Sequence, residues 1–160
     1  MRTQNWLENR FDYIYRKYFS DIEASNQIEI KWGRRSRRQL GCIKKEQLKT
    51  FADRLKRDFK TIIVINGLFR DEAIPNFVID AVIIHEMIHY THGFNSPLPQ
   101  KHRHPHQGKV IRREFLLRGI GELERKQQKW IKENWQNYLK ENLPPSKPKK
   151  RKARYKIVWR

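Results

Sequence analysis

Residues Val82 to Tyr90 read Val-Ile-Ile-His-Glu-Met-Ile-His-Tyr, an H-E-x-x-H set inside an apolar run. Nothing else in the chain restricts its fold as strongly. Phe77, Val78, Ile79, Ala81, Val82, Ile83, Ile84, Met87 and Ile88 make this segment apolar nearly all round, which predicts a central helix buried on most sides. Residues four apart share one helix face, so His85 and His89 can aim two imidazoles at one cation. Glu86, about 100° round the helix, can reach a water held there. The plain alternative is a pair of histidines capping a buried helix. Unpartnered His, Glu and His in such surroundings are costly, and a metal ion removes that cost. Two imidazoles, a third protein ligand and one open position describe a zinc site.

The third ligand must come from outside the motif. Four of the six histidines lie between His92 and His106, and the Pro-rich loop Asn95 to His106 carries His102, His104 and His106. His92 shares the face of His85 and His89 but lies about 10 Å from His85 along the helix axis. Cys42 is the one cysteine, so no disulfide framework and no Cys-based zinc ribbon exists in the chain, which suits a reducing compartment.

The rest of the 160 residues predicts an α+β arrangement. Gln4 to Phe19 has helical spacing in Leu7, Phe11, Ile14 and Tyr18. Gln27 to Trp32 alternates as a half-buried strand, and Gln39 to Ile43 is expected to pair with it as a hairpin across a turn holding Arg34, Arg35, Arg37 and Arg38. Lys44 to Phe59 reads as an amphipathic helix through Leu48, Phe51, Ala52 and Leu55. Thr61 to Asn66 is a buried strand and Gly67 to Ile74 a loop. The metal helix follows Pro75 and runs to His92, with Gly93 ending it. Helices are expected over Gly108 to Arg118 and Glu122 to Leu143. Pro144 then opens a basic tail in which Tyr155 to Arg160 could add a short strand. No segment is apolar and long enough to span a membrane.

The formal net charge is +19. Removing the eight basic residues of Pro144 to Arg160 leaves +11 on residues 1 to 143, so the globular part is itself basic. Such a balance implies a polyanionic partner, with Arg34, Arg35, Arg37, Arg38 and the tail's Lys149, Lys150, Arg151 and Lys152 as candidate nucleic-acid contacts. Interleaved aromatics such as Trp32, Trp130 and Trp135 would suit single-stranded DNA, although most of them fit a core. The bland reading is a solvated basic surface.

Several segments together resemble one family: Trp32-Gly33, then Arg37-Arg38-Gln39-Leu40-Gly41-Cys42, then an apolar strand, then His85-Glu86-Met87-Ile88-His89, and finally a histidine before a Gly and a helix. In this order they resemble the SprT-like zinc metallopeptidases, Spartan-like protease domains among them. The resemblance covers about residues 5 to 120. It implies a zincin-like α+β domain over 1–143, with a small, mostly antiparallel three-stranded sheet packed on helices that include the H-E-x-x-H helix, a C-terminal helix at 122–143, and a separate tail at 144–160. It implies a zinc-dependent endopeptidase of protein or peptide substrates, working near DNA on bound or crosslinked proteins, in the cytoplasm and at the nucleoid. His85, His89 and His106 would hold zinc, with His106 matching the family's third-ligand position apart from one residue inserted before Gly108. Glu86 would be the general base. The family's Cys-rich C-terminal ribbon is absent, and Lys44 to Phe59 looks like an insertion. The extended metzincin pattern is excluded, because it needs Gly at position 92 and His at 95, where this chain has His92 and Asn95. A different class fits the same charge: a basic nucleic-acid-binding protein with a structural zinc or an inactive protease site.

Overall fold

The computed structural model describes residues 1–47 and 59–145. Among them are four α-helices and one three-stranded mixed sheet: α1 (Gln4–Tyr18), β1 (Ile28–Trp32), β2 (Gly41–Gln47), β3 (Phe59–Ile65), α2 (Asn76–Thr91), α3 (Val110–Leu117) and α4 (Gly121–Asn142), with 3-10 turns at Gly67–Arg70 and Gln107–Lys109. This is the α+β class that the periodicities predict.

Helix α1 starts where the Thr3 hydroxyl accepts the Trp6 amide at 3.1 Å, a side-chain cap for an otherwise orphaned donor. Its Leu7, Phe11 and Ile14 are buried and pack toward β1 and α2. Helix α2 is buried along almost its whole length, packing on β2 and β3 on one side and on α4 on another. Its interior acid, Asp80, accepts two bonds from the Arg10 guanidinium of α1, at 2.6 and 2.5 Å. That pairing explains an aspartate inside the apolar run, because a buried carboxylate needs a partner. Gly93 sits at φ +81°, and a Cβ there would lie 2.6 Å from the backbone of Pro99 and Gln100. A glycine is therefore required both by the left-handed backbone and by the close approach of the following loop.

The sheet departs from the expected topology. Its order is β1-β3-β2, with β1 parallel and β2 antiparallel to β3, so one of its two pairings is antiparallel and the β1–β2 hairpin does not form. The reason lies in β3: Thr61, Ile62, Ile63 and Ile65 are buried. A strand buried on both faces belongs in the middle of a sheet. The more polar β1 and β2 take the edges. The expected helix from Lys44 is also corrected at both ends: Lys44 to Gln47 continue β2 and Phe59 begins β3, because pairing with the apolar β3 overrides helical spacing. Residues 48–58 between them, and the tail from residue 146 with Lys149, Lys150, Arg151, Lys152 and the possible strand Tyr155 to Arg160, lie outside the described residues. Among the described residues, no helix is long and apolar enough to cross a membrane.

Candidate metal centre

Helix α2 delivers His85 and His89 one turn apart, and their Nε2 atoms stand 3.0 Å apart. The loop after Gly93 returns to bring His106, at the start of the 3-10 turn Gln107–Lys109, against both rings, with centroids 5.3 Å from His85 and 4.8 Å from His89. One ligand atom from each of the three lies within 4.8 Å of the others, a spacing at which they could bind one metal ion.

The electrostatics fit a cation. Burial, and after it the charge of His106, pushes His85 down to about 4; burial and then the neighbouring histidines push His89 down to about 3. Neutral imidazoles present lone pairs, which is the state a metal requires. The Nδ1 of His89 is buried without a hydrogen-bond partner among the described residues. Glu86 is 5 % exposed, and burial alone raises its carboxyl to about 8. A cation beside it would favour the ionised form and reverse that shift. Two imidazoles held neutral by burial, a third against them and a buried carboxyl beside them together fit a divalent ion.

These groups line a cleft of about 890 Å³. Its walls are β2 from Gly41 to Ile43, helix α2, the loop at Phe94, Asn95 and Pro105, and the facing sides of α3 and α4. Arg38, Lys109 and Arg112 bring positive charge to it, and Glu124 of α4 a second carboxyl, raised by burial. Gly41 is the contact that sequence reading missed. A Cβ there would lie 2.8 Å from Glu86 Oε1 and 2.8 Å from Val82 Cγ1. The missing side chain therefore leaves room for the Glu86 carboxylate. Glycine inside a strand is the signal of such a close approach.

The other histidines go elsewhere. His92 is buried, with Nε2 3.3 Å from Glu114 Oε1 and its ring edge-on to His102. Its carbonyl accepts the Lys101 amide at 3.0 Å. Neither His92, His102 nor His104 belongs to the three-histidine group. His92 and His102 instead clip the returning loop to the end of α2.

The arginine cluster does not form one patch. Asn66 pins the turn, its amide donating to the Ser36 and Gln39 carbonyls at 2.6 and 2.8 Å and its oxygen accepting the Ser36 and Leu68 amides at 3.1 and 3.0 Å. Arg37 is drawn toward α4: its guanidinium donates to the Pro144 carbonyl and its own carbonyl accepts Trp135 Nε1. Arg38 faces the metal cleft. Arg34 and Arg35 are exposed. Trp32, a candidate for stacking on bases, is half-buried, with its ring nearly parallel to that of Trp6 at 6.4 Å. Trp135 is buried against Phe69 and Tyr138, and Trp130 packs against the core.

No known family model, curated protein or solved structure matches the chain.

Proposed function

We propose that this chain is a zinc-dependent endopeptidase of SprT-like type, with a zincin-like fold, that cuts proteins bound or crosslinked to DNA. The observation carrying this reading is the convergence of three histidine donors beside a buried glutamate on the wall of an open cleft. His85, His89 and His106 would hold zinc. When bound, zinc supplies a Lewis acid for a peptide carbonyl and lowers the pKa of a water in the open position toward about 7. Glu86, one residue from a ligand and held in apolar surroundings, takes a proton from the attacking water and passes it to the departing amine. The room left by Gly41 keeps that carboxylate free to turn between the two positions.

The cleft also suits an extended peptide. Strand β2 lies at the sheet edge and forms one wall, so a substrate strand can pair with its free backbone groups. The Ile43 carbonyl is not among the free groups, since it accepts from Asn95 Nδ2 at 2.9 Å. The formal charge of +19 supports the DNA half of the reading, since phosphate contacts provide most non-specific affinity.

A structural zinc in a basic nucleic-acid-binding protein would be closed by four protein ligands, whereas three histidines make up the group among the described residues. The deciding experiment is metal analysis and peptidase assay of the wild type beside Glu86→Gln and His106→Ala. One zinc per chain in the wild type and in Glu86→Gln, with turnover lost only in the latter, supports the reading. Undiminished cleavage by Glu86→Gln overturns it.

A further inference from the structure

The alternation of side chains along the strands directs neighbouring positions to opposite faces of the sheet. In register, Lys31 faces Val64 and Val64 faces Cys42; two residues along, Glu29 faces Ile62 and Ile62 faces Lys44. These rows share one face of the sheet. Gly41, in register with Ile65 and through it with Trp32, belongs to the opposite face and abuts Glu86. Strand β2 thus has the metal cleft on one side. On its other side is a second groove, of about 480 Å³, bordered by Lys31, Arg34 and Lys44 together with Ser36, Gln39 and Asn66.

Among the described residues, no carboxylate lines this groove, and none of Lys31, Arg34 and Lys44 takes part in an ion pair. All three are exposed. Three cations without an ion-pair partner among the described residues, around a concave recess also lined by Trp32 and Val64, have the charge of a phosphate track. Concavity selects among polyanions. A duplex offers its phosphates on a convex rod, whereas a single strand can bend into a recess and bring successive phosphates to cations on opposite rims.

We propose that this groove binds single-stranded nucleic acid through its phosphates, with Lys31, Arg34 and Lys44 as contacts, on the reverse side of the strand that walls the metal cleft. This deepens the nucleic-acid part of the proposed function and rests on it; the metal part stands separately. Gln39, Gly41 and Cys42 border both spaces, so a strand in the groove lies one β-strand's thickness from the cleft. The site comes from the sheet face, whereas the sequence pointed to the arginine turn and the tail, and only Arg34 belongs to both.

The test is binding of a fluorescent fifteen-residue oligothymidylate to the full chain, by anisotropy over a salt series. The triple substitution Lys31→Ala, Arg34→Ala, Lys44→Ala is compared with Lys126→Ala, Lys129→Ala, Lys132→Ala, which removes the same charge from the exposed side of α4. The groove variant is expected to bind at least about tenfold more weakly, and the slope of log affinity against log salt to fall by about 2, as three lost single-strand phosphate contacts require. The α4 variant is expected to keep the wild-type slope to within about one contact. Equal losses in both variants, no binding by the wild type, tighter binding of the matching duplex, or displacement of the oligonucleotide by polyglutamate of equal charge would each overturn the proposal. Zinc content and cleavage of an unstructured peptide without nucleic acid, measured on the same preparations, report on folding and on the metal part independently.

Discussion

Glu86 and Gly41 form a unit that neither residue reveals alone. Any side chain at position 41 meets the carboxylate, so Gly41→Val should retain zinc and lower turnover by roughly 10²-fold or more, approaching the 10²- to 10⁴-fold loss typical of removing a general base; steady-state kinetics beside elemental analysis checks this. The same carboxyl sets a pH signature in the metal-free protein. His85 and His89 titrate near 4 and 3 in the fold against 6.5 when unfolded. Their contribution is complete above 6.5 and is lost as pH falls through 6.5 toward 4. Glu86 titrates near 8 against 4.5 unfolded. Its contribution is complete below 4.5 and is lost as pH rises toward 8. Two groups favour higher pH below 6.5 and one opposes them, so Tm of the metal-free protein should rise to a maximum near 6.5 and decline by 8. Added zinc should abolish the alkaline decline, because a cation stabilises the ionised Glu86; thermal unfolding across pH with and without zinc shows whether it does. The two motif histidines were legible from their spacing of four. From the residues alone His106 was one of several loop candidates, and the family resemblance singled it out; the return of a loop is fixed by contacts such as His92 with His102, which leave no periodic trace.

Helices were read more faithfully than strand pairings, and the contrast has a physical cause. The buried face of α1 repeats locally in Leu7, Phe11 and Ile14, and a local repeat is visible in sequence. Pairing of β3 between β1 and β2 depends on which strand is most apolar on both faces, which appears only when all three are compared. The arginine turn illustrates the same limit. Its shape depends on Asn66, thirty residues downstream of Ser36. Asn66→Ala removes a partner from four backbone groups around a 4 % exposed side chain. It should cost about 2–4 kcal/mol, more than one buried unsatisfied group alone, as chemical denaturation would measure. On α2, Arg10→Met leaves Asp80 buried and charged without its partner. The expected loss is about 2–3 kcal/mol, below the 3–5 of a fully buried pair because Arg10 is one-third exposed. Asp80→Asn, which can still accept from Arg10, should lose less.

Across the whole molecule, the cationic groove and the three-histidine group lie on opposite sides of one thin sheet, with β2 between them. That placement, more than the total of +19, is what a sequence cannot express, since it depends on which sheet face Lys31 and Lys44 share across β3. The strand order carries a further consequence, for the time course of folding. β1 and β2 come first in the chain, yet each bonds to β3 and not to the other. Neither edge can gain its ladder until Phe59–Ile65 has arrived to bridge them. The parallel pairing of Ile28 with Thr61 closes the longer loop and is entropically the costlier step. Acquisition of the sheet is therefore gated by its last strand. Ile63→Val should slow refolding with little effect on the unfolding limb of a chevron plot, while Leu139→Ala in α4 should chiefly accelerate unfolding. During synthesis β1 and β2 leave the ribosome before β3, and the basic turn between them emerges before Asn66, which will hold it.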